Sequence, residues 1–263
     1  MKEIAFYLVD AFSDRAFSGN PAAVCPLESW LPDDILLKMA QQHNQSETAF
    51  FVRTDAGFEL RWFTTQDEIN LCGHATLASA HVIFEYLDYP ETEILFSTRF
   101  VGDLKVSRNG DWLTLDFPAW SSDAVDNPPA LLFSALGIPA SSAVRVGRDY
   151  MVVLENQQQV ESLTPAIEAL KPLGKMVCVT APGDEVDFVS RFFCPGESVA
   201  EDPVTGSAHS MLIPWWSEQL GKTQMTARQV SARGGDLRCE LKGDRVLMSG
   251  QAALYLKGTV FLR

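Results

Sequence analysis

Apolar and polar residues follow two rhythms along the chain, one typical of strands and one typical of helices. In residues 58–63 apolar and polar side chains alternate, as in a half-buried strand. In residues 32–44 a proline and two aspartates open a helical pattern, and an asparagine can end it. By these criteria we predict further strands at 4–12, 47–52, 92–117, 144–154, 175–180, 187–193 and 226–262, and further helices at 74–87, 165–171 and 206–220.

The predicted elements occur twice in the same order, which indicates a duplicated α+β protein with two pseudo-symmetric halves. Residues 119–129 are rich in proline and serine and lack periodicity, so they predict a linker. We therefore expect a first half at residues 1–118 and a second half at 130–254. The last strand, about 255–263, is free to pack back onto the first half. Pro214 falls inside the last helix, where we expect a kink or an early break.

Two segments of the sequence follow a similar pattern, RWFTTQDEINLCGHATLASAH from residue 61 and RFFCPGESVAEDPVTGSAH from residue 191. Each runs from an arginine to the small residues of a helix start, and equal spacing pairs Cys72 (72 − 61 = 11) with Asp202 (202 − 191 = 11). Free N–H groups at a helix start bind carboxylates. Two such ends would clamp a small acid and stabilise a carbanion beside it. Two buried helices with ordinary caps would leave the same pattern, so helix evidence alone leaves both interpretations open.

The charge, the apolar runs and the cysteines of the chain indicate which partners and which cellular location to expect. The formal net charge of −13 repels phosphate backbones and anionic membrane surfaces, so we expect neither nucleic acid nor membrane as a partner. No apolar run reaches the length of a membrane span, and the short apolar N-terminus carries Asp10, unlike a signal peptide. Five scattered cysteines without a CxxC pair indicate reduced thiols and a cytoplasmic location.

Four motifs, VDAFSDRAFSGNPAAV, NQSETAF, LCGHAT and EDPVTGSAH, occur in this order from residue 9 onward. Together they resemble the phenazine-biosynthesis PhzF-like isomerase family, which shares the diaminopimelate-epimerase fold. The resemblance implies that each half is a curved, mostly antiparallel sheet wrapped around a central helix, with the active site in a cleft between the halves. It also implies catalysis without a cofactor or metal on a small carboxylate-bearing substrate, and it suggests a homodimer.

Glu47, His74 and Asp202 are the predicted catalytic residues, and the resemblance carries each assignment. Apolar residues follow Glu47, which predicts a raised pKa and suits a proton carrier, although the residues alone favour a solvated strand-edge glutamate. The family's general acid/base matches Glu47. On the residues alone His74 is a capping or core histidine, and Asp202 is a helix cap. The resemblance places both at the cleft, where Asp202 would hold a substrate amino or hydroxyl group.

The predicted substrate-binding residues surround the same motifs. Backbone N–H groups of Gly73 and Gly206, and the hydroxyl of Ser207, would bind a substrate carboxylate. The weaker candidates are Ser46 and Asn20. Cys72 stands where related epimerases place one of two opposed thiols, so it is either a group at the substrate or inert packing.

We therefore expect a cofactor-independent isomerase in which Glu47 moves a proton on a small carboxylate. The alternatives are a two-base racemase or epimerase that uses Cys72, and a binding scaffold without a reaction. HExxH, GxSxG, Walker and GxGxxG motifs are missing from the sequence, and no close pair of ligands has metal-binding spacing.

Overall fold

The structure is a computed structural model that describes residues 1–197 and 199–263 in two compact units. Unit 1 comprises Met1–Phe117 and Met248–Arg263, and unit 2 comprises Pro118–Leu247. The chain thus re-enters unit 1 at Met248, before the expected position near 255. The segment 119–129 is part of unit 2, not a free linker, because its short strand Asp123–Ala124 pairs with residues 145–146.

Unit 1 contains nine strands, counted among the described residues, and two helices. The strands are β1 (Lys2–Ala11), β2 (Asn20–Leu27), β3 (Thr48–Thr54), β4 (Gly57–Phe63), β5 (Glu68–Ile69), β6 (Glu93–Thr98), β7 (Gly102–Asn109), β8 (Trp112–Pro118, whose last residue falls in unit 2) and β18 (Ala252–Leu262). The helices are α1 (Asp33–His43) and α2 (Gly73–Tyr86). Asn44 ends α1 in the left-handed conformation, and its N–H bonds to the carbonyl of Ala40, as the sequence predicted.

Unit 2 contains β9 (Asp123–Ala124), β10 (Ala143–Val146), β11 (Tyr150–Val153), β12 (Val177–Pro182), β13 (Phe188–Phe193), β14 (Glu201–Asp202), β15 (Gln224–Gln229) and β16 (Gly235–Lys242). Strand β17 (Arg245–Gly250) crosses the boundary between the units. The helices are α3 (Ala130–Leu136), α4 (Gln157–Glu161), the 3-10 helix Ile167–Leu173 and α5 (Gly206–Leu220).

The pairings repeat as well as the elements. In unit 1 strands β1 and β2 are antiparallel, β2 and β3 parallel, β3 and β4 antiparallel, and β4 and β6 parallel. In unit 2 the corresponding pairs β10–β11, β11–β12, β12–β13 and β13–β15 have the same directions. The predicted α+β fold with two pseudo-symmetric halves is therefore confirmed.

A small-residue helix lies in the core of each unit. Eleven of the fourteen residues of α2 are buried, on every side of the helix, as expected of a helix that a sheet wraps around. Nine of the fifteen residues of α5 are buried, and α5 continues through Pro214 without the early break that we expected. Its N-terminal half is held by buried contacts, which outweigh the loss of one backbone hydrogen bond.

Several strands and helices were not predicted from the sequence. Strand β2 contains Pro21 and Pro26, and helices α3 and α4 are too short to show a clear period. The helix predicted at 165–171 is the 3-10 helix Ile167–Leu173, which contains Pro172. Among the described residues, no helix combines the length and apolar character that a membrane span requires.

Candidate active site

The start of α2 organises the site in unit 1. Cys72 is the N-cap residue in an extended conformation, and its carbonyl accepts hydrogen bonds from the Thr76 N–H (3.1 Å) and the Thr76 hydroxyl (2.6 Å). These bonds fix the turn that leads into Gly73 and His74. The turn thereby determines where the first helical side chains lie.

Glu47, Cys72 and His74 form one cluster. Glu47 immediately precedes β3, and its Oε2 lies 3.2 Å from His74 Nε2. Cys72 Sγ lies 3.4 Å from His74 Nδ1. The side chain of His74 is 5% exposed and that of Glu47 is 18% exposed. The imidazole therefore joins a thiol to a carboxylate that retains access to solvent.

Charge balance in this cluster is set by His74. Burial disfavours the imidazolium, but the neighbouring Cys72 sulfur and Glu47 carboxylate outweigh burial and raise the pKa of His74 well above its ordinary value. Burial also raises the pKa of Cys72, so its thiol is neutral near pH 7. The Glu47 carboxylate is therefore the charge that keeps the proton on His74.

The pKa of Glu47 is lowered, which contradicts the raised pKa that its apolar neighbours predicted. Burial alone would raise the pKa, but the His74 imidazolium, through hydrogen bonding and charge, outweighs burial. The Ser46 hydroxyl also favours the carboxylate, though without the geometry of a well-formed hydrogen bond, so we assign the effect chiefly to His74. At rest the pair is Glu47 carboxylate and His74 imidazolium.

Asn20, the other weak candidate, opens β2 opposite Ala11 and is fully buried. Gly19 precedes it with a φ of +69°, and any side chain there would collide with the carbonyl of Ala11. The buried carboxylate of Asp10 accepts the Phe17 N–H at 2.9 Å. The SGNP turn thus has a structural explanation of its own.

In unit 2 a buried glutamine braces the loop that carries Asp202. The Asp202 carboxylate accepts the Thr205 hydroxyl at 2.6 Å. Gln229 is fully buried; its amide donates to the Asp202 carbonyl (2.6 Å), and its oxygen accepts the Thr205 N–H (2.9 Å). Gly206 and Ser207 then begin α5. Sequence analysis missed Gln229 because nothing in an alternating strand marks one polar residue as a brace.

The arginines that open the two similar segments occupy matching places. Arg61 binds both carboxylate oxygens of Glu68 at 2.7 Å, and Arg191 binds both oxygens of Glu201 at 2.7 and 2.8 Å. In the ladders, Glu68 lies opposite Phe63 and Glu201 lies opposite Phe193. The arginine and glutamate are seven positions apart in one copy and ten in the other.

This pairing corrects the match between Cys72 and Asp202. The helix N-cap follows each glutamate by four positions, at Cys72 (72 − 68 = 4) and at Thr205 (205 − 201 = 4). Three additional residues lie between the arginine and the glutamate in the second copy, and they shift the count. Cys72 therefore corresponds to Thr205, and His74 corresponds to Ser207.

The position of Glu47 can be matched in the same way. Thr48 pairs with Phe63, and Val177 pairs with Phe193, so the residues before them, Glu47 and Met176, are equivalent. The carbonyl of Glu47 accepts the Ala23 N–H, and the carbonyl of Met176 accepts the Tyr150 N–H. The copy in unit 2 thus has methionine, threonine and serine where unit 1 has glutamate, cysteine and histidine.

His209 of α5 has a structural role that parallels that of Thr76. Its Nδ1 lies 2.8 Å from the carbonyl of the N-cap residue Thr205, so Nδ1 carries a proton and donates it. Burial lowers the pKa of His209 to about 4. His209 is therefore a neutral histidine that secures the start of its helix.

Comparison with known proteins shows which family has this sequence and fold. The family model described as phenazine biosynthesis-like protein (PhzC-PhzF) matches residues 9–258. The chain belongs to the phenazine biosynthesis-like family. It is 48% identical to an uncharacterized isomerase of Pseudomonas aeruginosa over 261 residues, which cover 99% of this chain and all of that protein.

Solved structures agree. The crystal structure of a PhzF-family protein from Enterococcus faecalis superposes with a TM-score of 0.95 at 44% identity, covering 99% of this chain and all of that chain. A hydroxyproline epimerase from Agrobacterium vitis superposes with a TM-score of 0.62 at 9% identity, covering 98% and 92%. The first supports membership of the PhzF family, and the second shows a shared fold.

The cluster in unit 1 also has the chemical types of a metal site. One oxygen, one nitrogen and one sulfur ligand atom, from Glu47, His74 and Cys72, lie within 4.8 Å of one another. Metal binding would require His74 to lose the proton that Glu47 stabilises and Cys72 to lose a proton that burial retains. Metal binding at this cluster would therefore compete with protons on both residues and would break the ion pair of Glu47 and His74.

Proposed function

We propose that the protein is a cofactor-independent isomerase in which Glu47 takes a proton from carbon on a small carboxylate-bearing metabolite and returns it to a neighbouring atom. Homologues named as isomerases support the reaction class. The observation that carries the residue assignment is the asymmetry of the duplication. Among the matched positions, unit 1 has Glu47 and His74, whereas unit 2 has Met176 and Ser207.

Glu47 is suited to begin as a base. Its lowered pKa keeps it ionised at neutral pH, and its side chain is 18% exposed, so a substrate can reach it. Apart from the ion-pair contact with His74, Oε2 has no hydrogen-bond partner among the described residues. Oε2 is itself buried against His74, so the exposed part of the ionised carboxylate is what a substrate would meet and what would accept its proton.

His74 would act as a positioning and charge-balancing residue. Once Glu47 accepts a proton, the imidazolium loses its counter-charge, so it can stabilise negative charge that develops on the substrate. The free N–H groups at the start of α2, including that of Gly73, add positive potential at the same place. The protein thus supplies its electrophile without a cofactor.

A two-base epimerase would need a second acid or base matched to Cys72. The matched residue is Thr205, whose hydroxyl does not ionise in the working pH range and already donates to Asp202 at 2.6 Å. The buried Cys72 has a raised pKa and is a poor base at neutral pH. A binding scaffold without a reaction would gain nothing from the ion pair of Glu47 and His74.

Exchange of carbon-bound hydrogen in heavy water tests the proposal. A panel of small 2-oxo, 2-hydroxy, 2-amino and unsaturated ring carboxylates is incubated with the protein, and proton NMR follows the loss of C–H signals. We expect uptake of deuterium with the native chain and with Cys72→Ser, but not with Glu47→Gln. Exchange that persists in Glu47→Gln and disappears in Cys72→Ser would assign the reaction to the thiol instead.

Removal of bound metal with chelators tests whether the reaction is independent of a metal cofactor. Exhaustive dialysis against EDTA and 1,10-phenanthroline should leave deuterium uptake unchanged, because a proton shuttle between a carboxylate and carbon needs no metal. Activity that falls on dialysis and returns with Zn²⁺ would identify the three-atom cluster as a metal site.

We also propose a reducing, cytoplasmic environment and a homodimer. All five cysteines are free thiols, as is common in cytoplasmic proteins. Mass measurement of the native chain tests the dimer, and fractionation of the cells that produce it tests the location.

A further inference from the structure

A cavity of about 440 Å³ lies in unit 2, beside the turn between β10 and β11. Three of the residues that line it are basic, Arg148, Lys171 and Lys175, and two are acidic, Asp149 and Glu197. The lining therefore has a net charge of +1 (3 − 2), in a chain whose net charge is −13. A volume of this size suits a small molecule, and the local charge favours an anion.

Asp149, the buried acid of this lining, is already paired with its neighbour in sequence. Its Oδ2 accepts hydrogen bonds from Nε (2.8 Å) and Nη2 (2.5 Å) of Arg148. The face of the same guanidinium lies over the ring of Trp120, 4.8 Å from its centre. Asp149 and Trp120 thus hold the guanidinium by one edge and by one face. Its Nη1 is left for another acceptor, and a guanidinium binds carboxylates and phosphates with two N–H groups side by side.

The two lysines of the lining have no acidic partner. Lys175 donates to the carbonyls of Gly147 (2.9 Å) and Arg148 (2.8 Å), so two of its three N–H donors fix the ammonium at the turn and one remains. Lys171 is exposed, and neither lysine takes part in an ion pair among the residues that the structure describes. Gly196, with a φ of +85°, leaves room for Lys171, because an added Cβ would lie 3.0 Å from the lysine Cε. The cavity therefore carries positive charge that the described protein does not neutralise.

The duplication gives an independent reason to expect an anion here. Met176 lines the cavity and is the residue that matches Glu47 of unit 1. The residue before each is Ser46 in unit 1 and Lys175 in unit 2. Unit 2 thus has an uncharged side chain and a cation where unit 1 has a carboxylate and a hydroxyl. The carboxylate that would repel an anion at this place of the fold is missing from unit 2.

We propose that this cavity of unit 2 binds the anionic group of a small metabolite, a phosphate or a pair of carboxylates. The fixed guanidinium of Arg148 and the ammonium groups of Lys171 and Lys175 would donate charge-assisted hydrogen bonds to its oxygens. The proposal concerns binding in unit 2, so it does not depend on the reaction proposed for Glu47.

Calorimetric titration of the full chain tests the proposal. Inorganic phosphate and malonate are the two probes, at about pH 7.5 and fixed ionic strength, because salt screens interactions of exposed charges. Lys171→Glu should weaken binding of the preferred probe about tenfold, as expected when a charged hydrogen bond is replaced by repulsion. Lys242→Glu is the matched control, since Lys242 is exposed in unit 2, lies outside the cavity lining and gives the same change in net charge.

The two probes and the two variants give distinct outcomes. Saturable binding that weakens in Lys171→Glu, but not in Lys242→Glu, supports the proposal, and the probe that binds more tightly identifies the anionic group. A native chain that binds neither probe saturably overturns the proposal. Equal affinities in Lys171→Glu and Lys242→Glu also overturn it. Circular dichroism checks that each variant is folded.

A second pair of variants tests the place directly. Met176→Glu adds a carboxylate to the lining, whereas Met176→Gln adds a side chain of the same shape without the charge. Binding should be about tenfold weaker in Met176→Glu than in Met176→Gln, and equal binding in the two contradicts the proposal. Ser207→Ala tests the start of α5 as the other place for an anion. Binding that is lost in Ser207→Ala and unchanged in Lys171→Glu would place the anion at the helix start and overturn the proposal.

Discussion

Replacing Glu47 by glutamine should lower the pKa of His74. Glu47 Oε2 lies 3.2 Å from His74 Nε2, and the imidazole is 5% exposed. Glutamine keeps the shape of the side chain but removes the counter-charge. The Cys72 thiol remains beside the ring as a neutral group, so burial becomes the dominant influence and disfavours the imidazolium.

Two estimates bound the size of the effect. Coulomb's law with an effective dielectric constant of about 20 gives roughly 5 kcal/mol for charges 3.2 Å apart. Measured effects of an opposite charge at this distance are about one to three pKa units, or roughly 1.4–4 kcal/mol. We therefore expect the pKa of His74 to be lower in the variant than in the native chain, because burial then opposes the imidazolium without the carboxylate beside it.

NMR titration of histidine ring nitrogens measures this directly. The chain has four histidines, and each signal is assigned with a His→Asn variant. His209 is the internal control, since its pKa of about 4 depends on burial in unit 2 and should not change. Glu93→Gln is the matched control, because Glu93 is 53% exposed and pairs with Lys105. A His74 pKa that is unchanged in Glu47→Gln would refute the ion pair.

The contribution of His74 to the free energy of unfolding should change with pH in opposite directions in the native chain and in Glu47→Gln. A raised pKa of His74 in the native fold stabilises it fully below the unfolded pKa of about 6.5, and that contribution is lost as pH rises through the folded pKa. In Glu47→Gln the lowered pKa reverses this, so stability is lost as pH falls below about 6.5. The variant should therefore lose more free energy of unfolding near pH 5.5 than near pH 7.5. Equal losses at both values would contradict the charge argument.

Three further changes separate the roles of the neighbours. His74→Asn removes the group that lowers the pKa of Glu47, so the acid limb of kcat/KM should move from below 4.5 to above it; an unmoved limb would assign that limb to another group. Cys72→Ser should keep turnover within about tenfold, and a loss beyond a hundredfold would restore the thiol to the mechanism. Asp202→Asn should raise KM by about ten- to a hundredfold with a smaller effect on kcat, as expected for a lost charged hydrogen bond; an unchanged KM would remove Asp202 from substrate binding.

Periodicity predicted the duplicated order of elements because apolar spacing depends on neighbours in sequence. It failed at β2, where Pro21 and Pro26 argue against a strand. Pro26 is tolerated because β2 needs no donor at that place in its parallel pairing with β3. Helix α2 was found with its start correct to one residue, since its small residues and lack of breakers are local features.

The site was harder to predict because its determinants are distant in sequence. Counting from Arg61 and Arg191 gave the wrong partner for Cys72, since ladder pairing shows that the second loop contains three additional residues. The pKa of Glu47 was predicted from adjacent apolar residues, but the deciding charge belongs to His74, 27 positions away. The residues next to a carboxylate in sequence indicate whether it is buried. Its pKa also depends on the charged residues that the fold brings beside it, and these can be distant in sequence.

The duplication gives both units the same helix start, but among the matched positions only unit 1 carries the titratable pair of Glu47 and His74. Both copies keep the arginine-glutamate pair and a side chain at the fourth helical position that bonds to the N-cap carbonyl, Thr76 in one and His209 in the other. These shared bonds hold two helix starts in the same form. What differs is the chemistry presented there, an ion pair in unit 1 and a hydroxyl-carboxylate network in unit 2. An epimerase that works on both faces of a carbon needs two matched acid-base groups. One glutamate-histidine pair without a counterpart at the matched positions of unit 2 fits the proposed reaction, in which a proton leaves one atom and returns to a neighbouring atom on the same face.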